Sequence, residues 1–84
     1  MKPIRLSGHA RERLAARGAT LEELTETIRT APWGPAESGP FQCRKEFAHG
    51  REWNGKVYAT KQVRPIFVEE ANQILVVTIY VYYF

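Results

Sequence analysis

The apolar positions along this chain change period once, and the change divides it into two kinds of structure. Leu21, Leu24 and Ile28 stand at i, i+3 and i+7, one apolar stripe of a helix. Thr20-Leu21-Glu22-Glu23 just before that stripe is a capping-box signature, with Glu23 three residues after Thr20. Upstream, Ser7 is placed to cap an earlier helix and Gly18 to end it in a left-handed turn, with Leu14 as its anchor to the core. From Phe41 the period drops to two: Phe41, Cys43, Lys45 and Phe47 alternate with Gln42, Arg44 and Glu46. Asn54-Gly55 predicts a two-residue hairpin turn. Residues 56–63 then read as a strand that continues past Pro65 through 66–68, and Pro65 marks an edge or a bulge. A turn at 69–73 leads to the closing apolar strand, 74–84. Residues 31–40, with three prolines and two glycines, predict a loop. The order predicts an α+β domain in which two N-terminal helices cover one face of a three- to four-stranded antiparallel sheet.

Composition narrows the class. A length of 84 residues suits one domain, 1–84, with one modest core, and 44% hydrophobic content predicts folding rather than disorder. The single cysteine, Cys43, excludes an internal disulfide and fits a reducing compartment. No apolar signal core follows Met1, and the run 74–84 is too short for a membrane-spanning helix, so we expect a cytoplasmic protein with no membrane segment. The β-branched and aromatic content of that run predicts a buried strand.

Charge is unevenly distributed along the chain. The chain carries a formal +3, distributed in alternating blocks: +4 over residues 1–18, −3 over 19–40, +4 over 41–64 and −2 over 65–84. If folding joins the two basic blocks, they make a face that attracts polyanions or acidic proteins.

Three groups of residues are candidates for chemistry. The first is His9, Arg13 and Arg17, at successive four-residue steps on the first helix and so within about 80° of arc. His9 falls in the first helical turn, where free backbone N–H groups also favour an anion. A phosphate there meets amides, guanidiniums and an imidazole together; the competing reading is an exposed basic helix paired to Glu12 or solvent. The second is residues 56–64, where Tyr58, Thr60, Gln62 and Arg64 share one strand face while Lys61 lies in an apolar row on the other. Lys61 either snorkels to the edge or reaches a bound phosphate. The third is residues 44–53, with Lys45 and Arg51 as further cations and His49 expected in a loop. Trp53 and Tyr58 flank the hairpin turn, as a stacking platform or a cross-strand pair. Trp33 in the proline-rich loop reads as a lid over the core.

Several classes are missing. The chain has no aspartate, no P-loop, no G-x-G-x-x-G and no nucleophile elbow. Cys43, His49 and His9 without a C-x-x-C pair make a poor zinc set, so neither a metal nor another cofactor is expected. Phosphodiester chemistry without converging carboxylates is open to RNA, whose 2′-hydroxyl is its own nucleophile. His9 suits proton transfer, and Arg13, Arg17, Lys61 or Arg64 suit charge stabilisation.

Residues 8–24 carry the motif H-A-x-x-R-x-x-x-R-G followed by a capped second helix. With residues 58–70 and the closing strand, this resembles a small bacterial domain family of unknown function grouped with RelE-, ParE- and BrnT-like toxins. The resemblance implies a RelE-like fold and a metal-independent endoribonuclease of a type II toxin–antitoxin system. By that likeness His9, Arg13 and Arg17 match the family's motif positions, and Lys61 and Arg64 its basic strand positions. We expect His9, Arg13, Arg17 and Lys61 to form the catalytic set, with Arg64, Lys45, Arg51 and Tyr58 as RNA- and phosphate-binding residues. Expected partners are RNA and an acidic antitoxin protein, and a homodimer is a further expectation. The rival expectation on the same basic face is a non-catalytic RNA-binding or protein-interaction module.

Overall fold

A computed structural model describes residues 2–37 and 40–84. It is α+β, with two helices against one face of a six-stranded mixed sheet. The elements in chain order are β1 (Ile4–Leu6), α1 (Gly8–Ala16), α2 (Leu21–Thr30), β2 (Gly34–Pro35), β3 (Phe41–Gln42), β4 (Lys45–Trp53), β5 (Lys56–Glu69) and β6 (Ile74–Tyr83). The expectation of three to four antiparallel strands is corrected in two ways. β1 pairs in parallel with β6, and β2 and β3 add short ladders beside β5. All three are two or three residues long, too short for an alternation to register.

Both helices start as their sequences require. Ser7 Oγ accepts from the Ala10 N–H at 3.0 Å. Thr20 and Glu23 close a reciprocal capping box, each side chain accepting from the other's backbone N–H. α2 buries Leu24, Thr27 and Ile28 on the sheet. Asn54 and Gly55 both adopt positive φ, as a tight hairpin turn with the strands' own twist demands.

β5 is the spine. One edge pairs with β6 over Lys61–Glu69, and the other with β4 up to Val63 and then β3 from Ile66. Thr60 and Phe84 exchange both backbone hydrogen bonds. By the two-residue alternation of an antiparallel ladder, Gln62–Tyr82 and Arg64–Tyr80 do likewise. Pro65 therefore turns its missing N–H toward the opposite edge, in the gap between the end of β4 and the start of β3. A proline thus sits in a central strand without breaking a ladder bond.

Val63, Phe67, Val76 and Ile79 are buried with Leu24 and Ile28 to form the core. The indole of Trp33 meets the Phe67 ring edge-on with centroids 4.8 Å apart, so the residue does cap the core. Ile66 pairs with Thr78 but Phe67 with Val76, which makes Val77 the extra residue of a β-bulge. The bulge shifts the inward row of β6 from Ile74 and Val76 to Ile79 and Val81. The closing strand is therefore buried on one face only, and Tyr80, Tyr82 and Phe84 remain exposed, against the expectation of a buried strand.

Candidate functional site

α1 is fastened to β6 at both ends. At its start, the Ser7 N–H donates to the Val76 carbonyl at 3.0 Å and Ser7 Oγ to the Val77 carbonyl at 3.2 Å. At its end, the Tyr83 hydroxyl donates to the Arg17 carbonyl at 2.6 Å. Burial, then the nearby Glu23 carboxylate, push the Tyr83 phenol above its ordinary pKa, so it keeps the proton it donates. Between the two fastenings lies a groove of about 510 Å³ lined by His9, Arg13 and Arg17 on the helix and by residues 78–82 on the strand.

Three features suit this groove to an anion. β1 pairs with β6 only at Ile74–Val76, so among the described residues 78–82 have no strand partner on that edge. By the ladder alternation above, Ile79 and Val81 direct their N–H groups to that edge. His9 Nε2 shares a hydrogen bond of 3.1 Å with Thr78 Oγ1, which fixes the imidazole at the groove's end. Finally, the ion pairs among the described residues are Lys2–Glu69, Lys45–Glu26 and Lys61–Glu23. None of them engages Arg13 or Arg17, and no glutamate lines the groove.

The other residues expected at the site are placed elsewhere. Lys61 is buried beneath the α1–α2 turn, where its ammonium donates to the Gly18 carbonyl and pairs with Glu23, both at 2.9 Å. It is held inside the fold rather than opening on the groove. Lys45 is taken by Glu26 at 2.8 Å and the Thr30 hydroxyl at 3.0 Å, both on α2. The acidic second block thus neutralises two cations of the third. Arg51 and Tyr58 pair across the β4–β5 hairpin, with Tyr58 tilted against Tyr83 and Lys56 over its ring. Arg64 lies on the uncovered sheet face, its guanidinium 5.6 Å from the centroid of the Tyr80 ring.

His49 is in β4 rather than a loop. Gly50, at φ +63°, absorbs a bulge between Ala48 and Arg51 there. The His49 ring meets Tyr83 edge-on, and burial, then Lys61 and Arg51, hold it below its usual pKa and favour its neutral form. Trp53 stacks on Tyr83 at 4.8 Å rather than standing free. The stack closes over Gly18, where a Cβ would stand 2.5 Å from the indole, and φ is +75°. That glycine is required by both the turn and the packing. Cys43 is buried, which pushes its thiol up to about 11 and keeps it protonated.

No sequence motif marks Thr78, Tyr80 and Tyr82, which line the groove. Their alternation inside an apolar run is the signal that this strand has one wet side. Among the described residues no helix is long and apolar enough to cross a membrane. No family model, curated protein or solved structure matches the chain.

Proposed function

We propose that the chain is a metal-independent endoribonuclease of toxin type whose site is the groove between α1 and β6. The observation that carries this reading is the convergence of His9 with two guanidiniums, which make no ion pair among the described residues, on a strand edge that carries no paired strand there. Arg13, Arg17 and the outward N–H groups of Ile79 and Val81 hold the scissile phosphate. The His9 imidazole takes the proton of the adjacent 2′-hydroxyl. The 2′-oxygen bonds to phosphorus, and the bond to the 5′-oxygen breaks. That oxygen leaves with a proton from water, which reaches the open groove. The guanidiniums stabilise the extra negative charge of the five-coordinate phosphorus. The same cationic groove is the surface an acidic inhibitor protein would cover.

Analysis of product ends tests this. Single-stranded RNA incubated with the purified chain and a chelator is expected to yield 2′,3′-cyclic phosphate and 5′-hydroxyl ends. Intact RNA, or products with 5′-phosphates, would contradict the reaction.

A further inference from the structure

A second cavity, of about 550 Å³, opens where the proline-rich segment meets β3 and β5. Trp33, Pro35, Gln42, Arg44 and Arg64 line it, and no glutamate does. Its parts are fixed in advance. Gln42 Nε2 donates to the Pro35 carbonyl at 2.9 Å, while its Oε1 accepts from Arg64 Nε at 2.7 Å. That leaves both terminal nitrogens of Arg64 without an acceptor among the described residues. Arg44 is exposed at the joint between β3 and β4 and makes no ion pair among those residues. Trp33 Nε1 donates to the Ile28 carbonyl at 2.8 Å, so the indole is locked while 37% of the residue stays exposed.

Two guanidiniums and a fixed aromatic ring suit a phosphate with an unstacked base beside it. The cavity is also tied to the groove. Tyr80 lines the groove and carries the Arg64 guanidinium over its ring, and Arg64 lines the cavity. We infer that the cavity is a second nucleotide subsite for single-stranded RNA. A strand whose scissile phosphate lies at His9 crosses Tyr80 and places a neighbouring phosphate between Arg64 and Arg44, with its base against Trp33. This rests on the reading of the groove as the RNA site.

The test uses a fluorescent single-stranded RNA, titrated by anisotropy at several salt concentrations. A Trp53→Phe background leaves Trp33 as the one indole. Arg44→Ala and Arg64→Ala are each expected to weaken binding about tenfold. Each is expected to lower the slope of log affinity against log salt by about 0.7, and to reduce the quenching of Trp33 by the strand. Arg44→Ala removes a side chain with no ion-pair partner among the described residues, and Arg64→Lys keeps the charge while losing the fork, so a misfolded variant cannot mimic the result. If Arg13→Ala weakens binding while the Arg44 and Arg64 variants bind as the parent does, the second subsite is wrong and the groove stands. If the Arg44 and Arg64 variants weaken binding but Arg13→Ala does not, the groove is wrong and the cavity stands as the RNA site. If the strand does not bind at all, both are overturned.

Discussion

Replacing His9 by alanine is expected to slow RNA cleavage by about 10²- to 10⁴-fold, the usual contribution of a positioned proton-transfer group. The fold is expected to survive. His9 is exposed, and its one hydrogen bond, to Thr78, is at the surface, worth about 1 kcal/mol at most. Binding is expected to persist as well, because Arg13, Arg17 and the edge amides remain. The prediction therefore separates chemistry from affinity: single-turnover cleavage falls while the dissociation constant for RNA barely changes. A variant that cuts at the parent rate would remove His9 from the mechanism and reduce the groove to a binding surface.

Replacing Lys61 by alanine is expected to destabilise the fold by about 3 kcal/mol, the scale for breaking a buried ion pair from one side. The change takes the ammonium from the Glu23 carboxylate, which keeps only the Thr20 N–H, and from the Gly18 carbonyl, which lies under the Trp53–Tyr83 stack. Lys61→Met is expected to cost less, since it keeps an apolar stem of similar length in place. Urea unfolding of the three proteins measures the difference.

The same ion pair gives an acid limb to stability. Burial raises the Glu23 pKa, but the Thr20 N–H and the Lys61 ammonium outweigh it and hold the carboxyl below its usual value of 4.5. A group whose pKa is lower in the folded state adds stability that is fully present above the unfolded value. That stability is lost as pH falls through the lowered one. The parent melting temperature is thus expected to drop on acidification through the carboxylate range, and Glu23→Gln to flatten that part of the drop. An equal acid slope in both proteins would contradict the assignment.

How much of this was legible in the sequence follows from what each signal depends on. The capping box at Thr20 and Glu23 and the Asn54-Gly55 turn depend only on neighbours, and both are present as expected. The four-residue spacing of His9, Arg13 and Arg17 needs only a helix to converge, and one groove receives all three. What failed depended on long-range partners. Nothing in Ile4-Arg5-Leu6 announces a strand, because its partner lies about 70 residues away in β6. Nothing near Lys61 or Lys45 shows that Glu23 and Glu26 come from α2 to claim them. The bulge at Val77 reverses which residues of β6 face the core, and a local alternation rule does not foresee a slip in register.

Locating bound phosphate decides whether the groove between α1 and β6 is the site. The chain, labelled with ¹⁵N and ¹³C, is titrated with a non-cleavable 2′-deoxy dinucleotide and followed by NMR, including the His and Arg side-chain signals. The expected result is a saturating set of shifts at the His9 imidazole, the Arg13 and Arg17 guanidiniums and the Ile79 and Val81 amides. Shifts confined to other surfaces, with those five sites unmoved at saturation, would contradict the claim that this helix and this strand edge make the phosphate site.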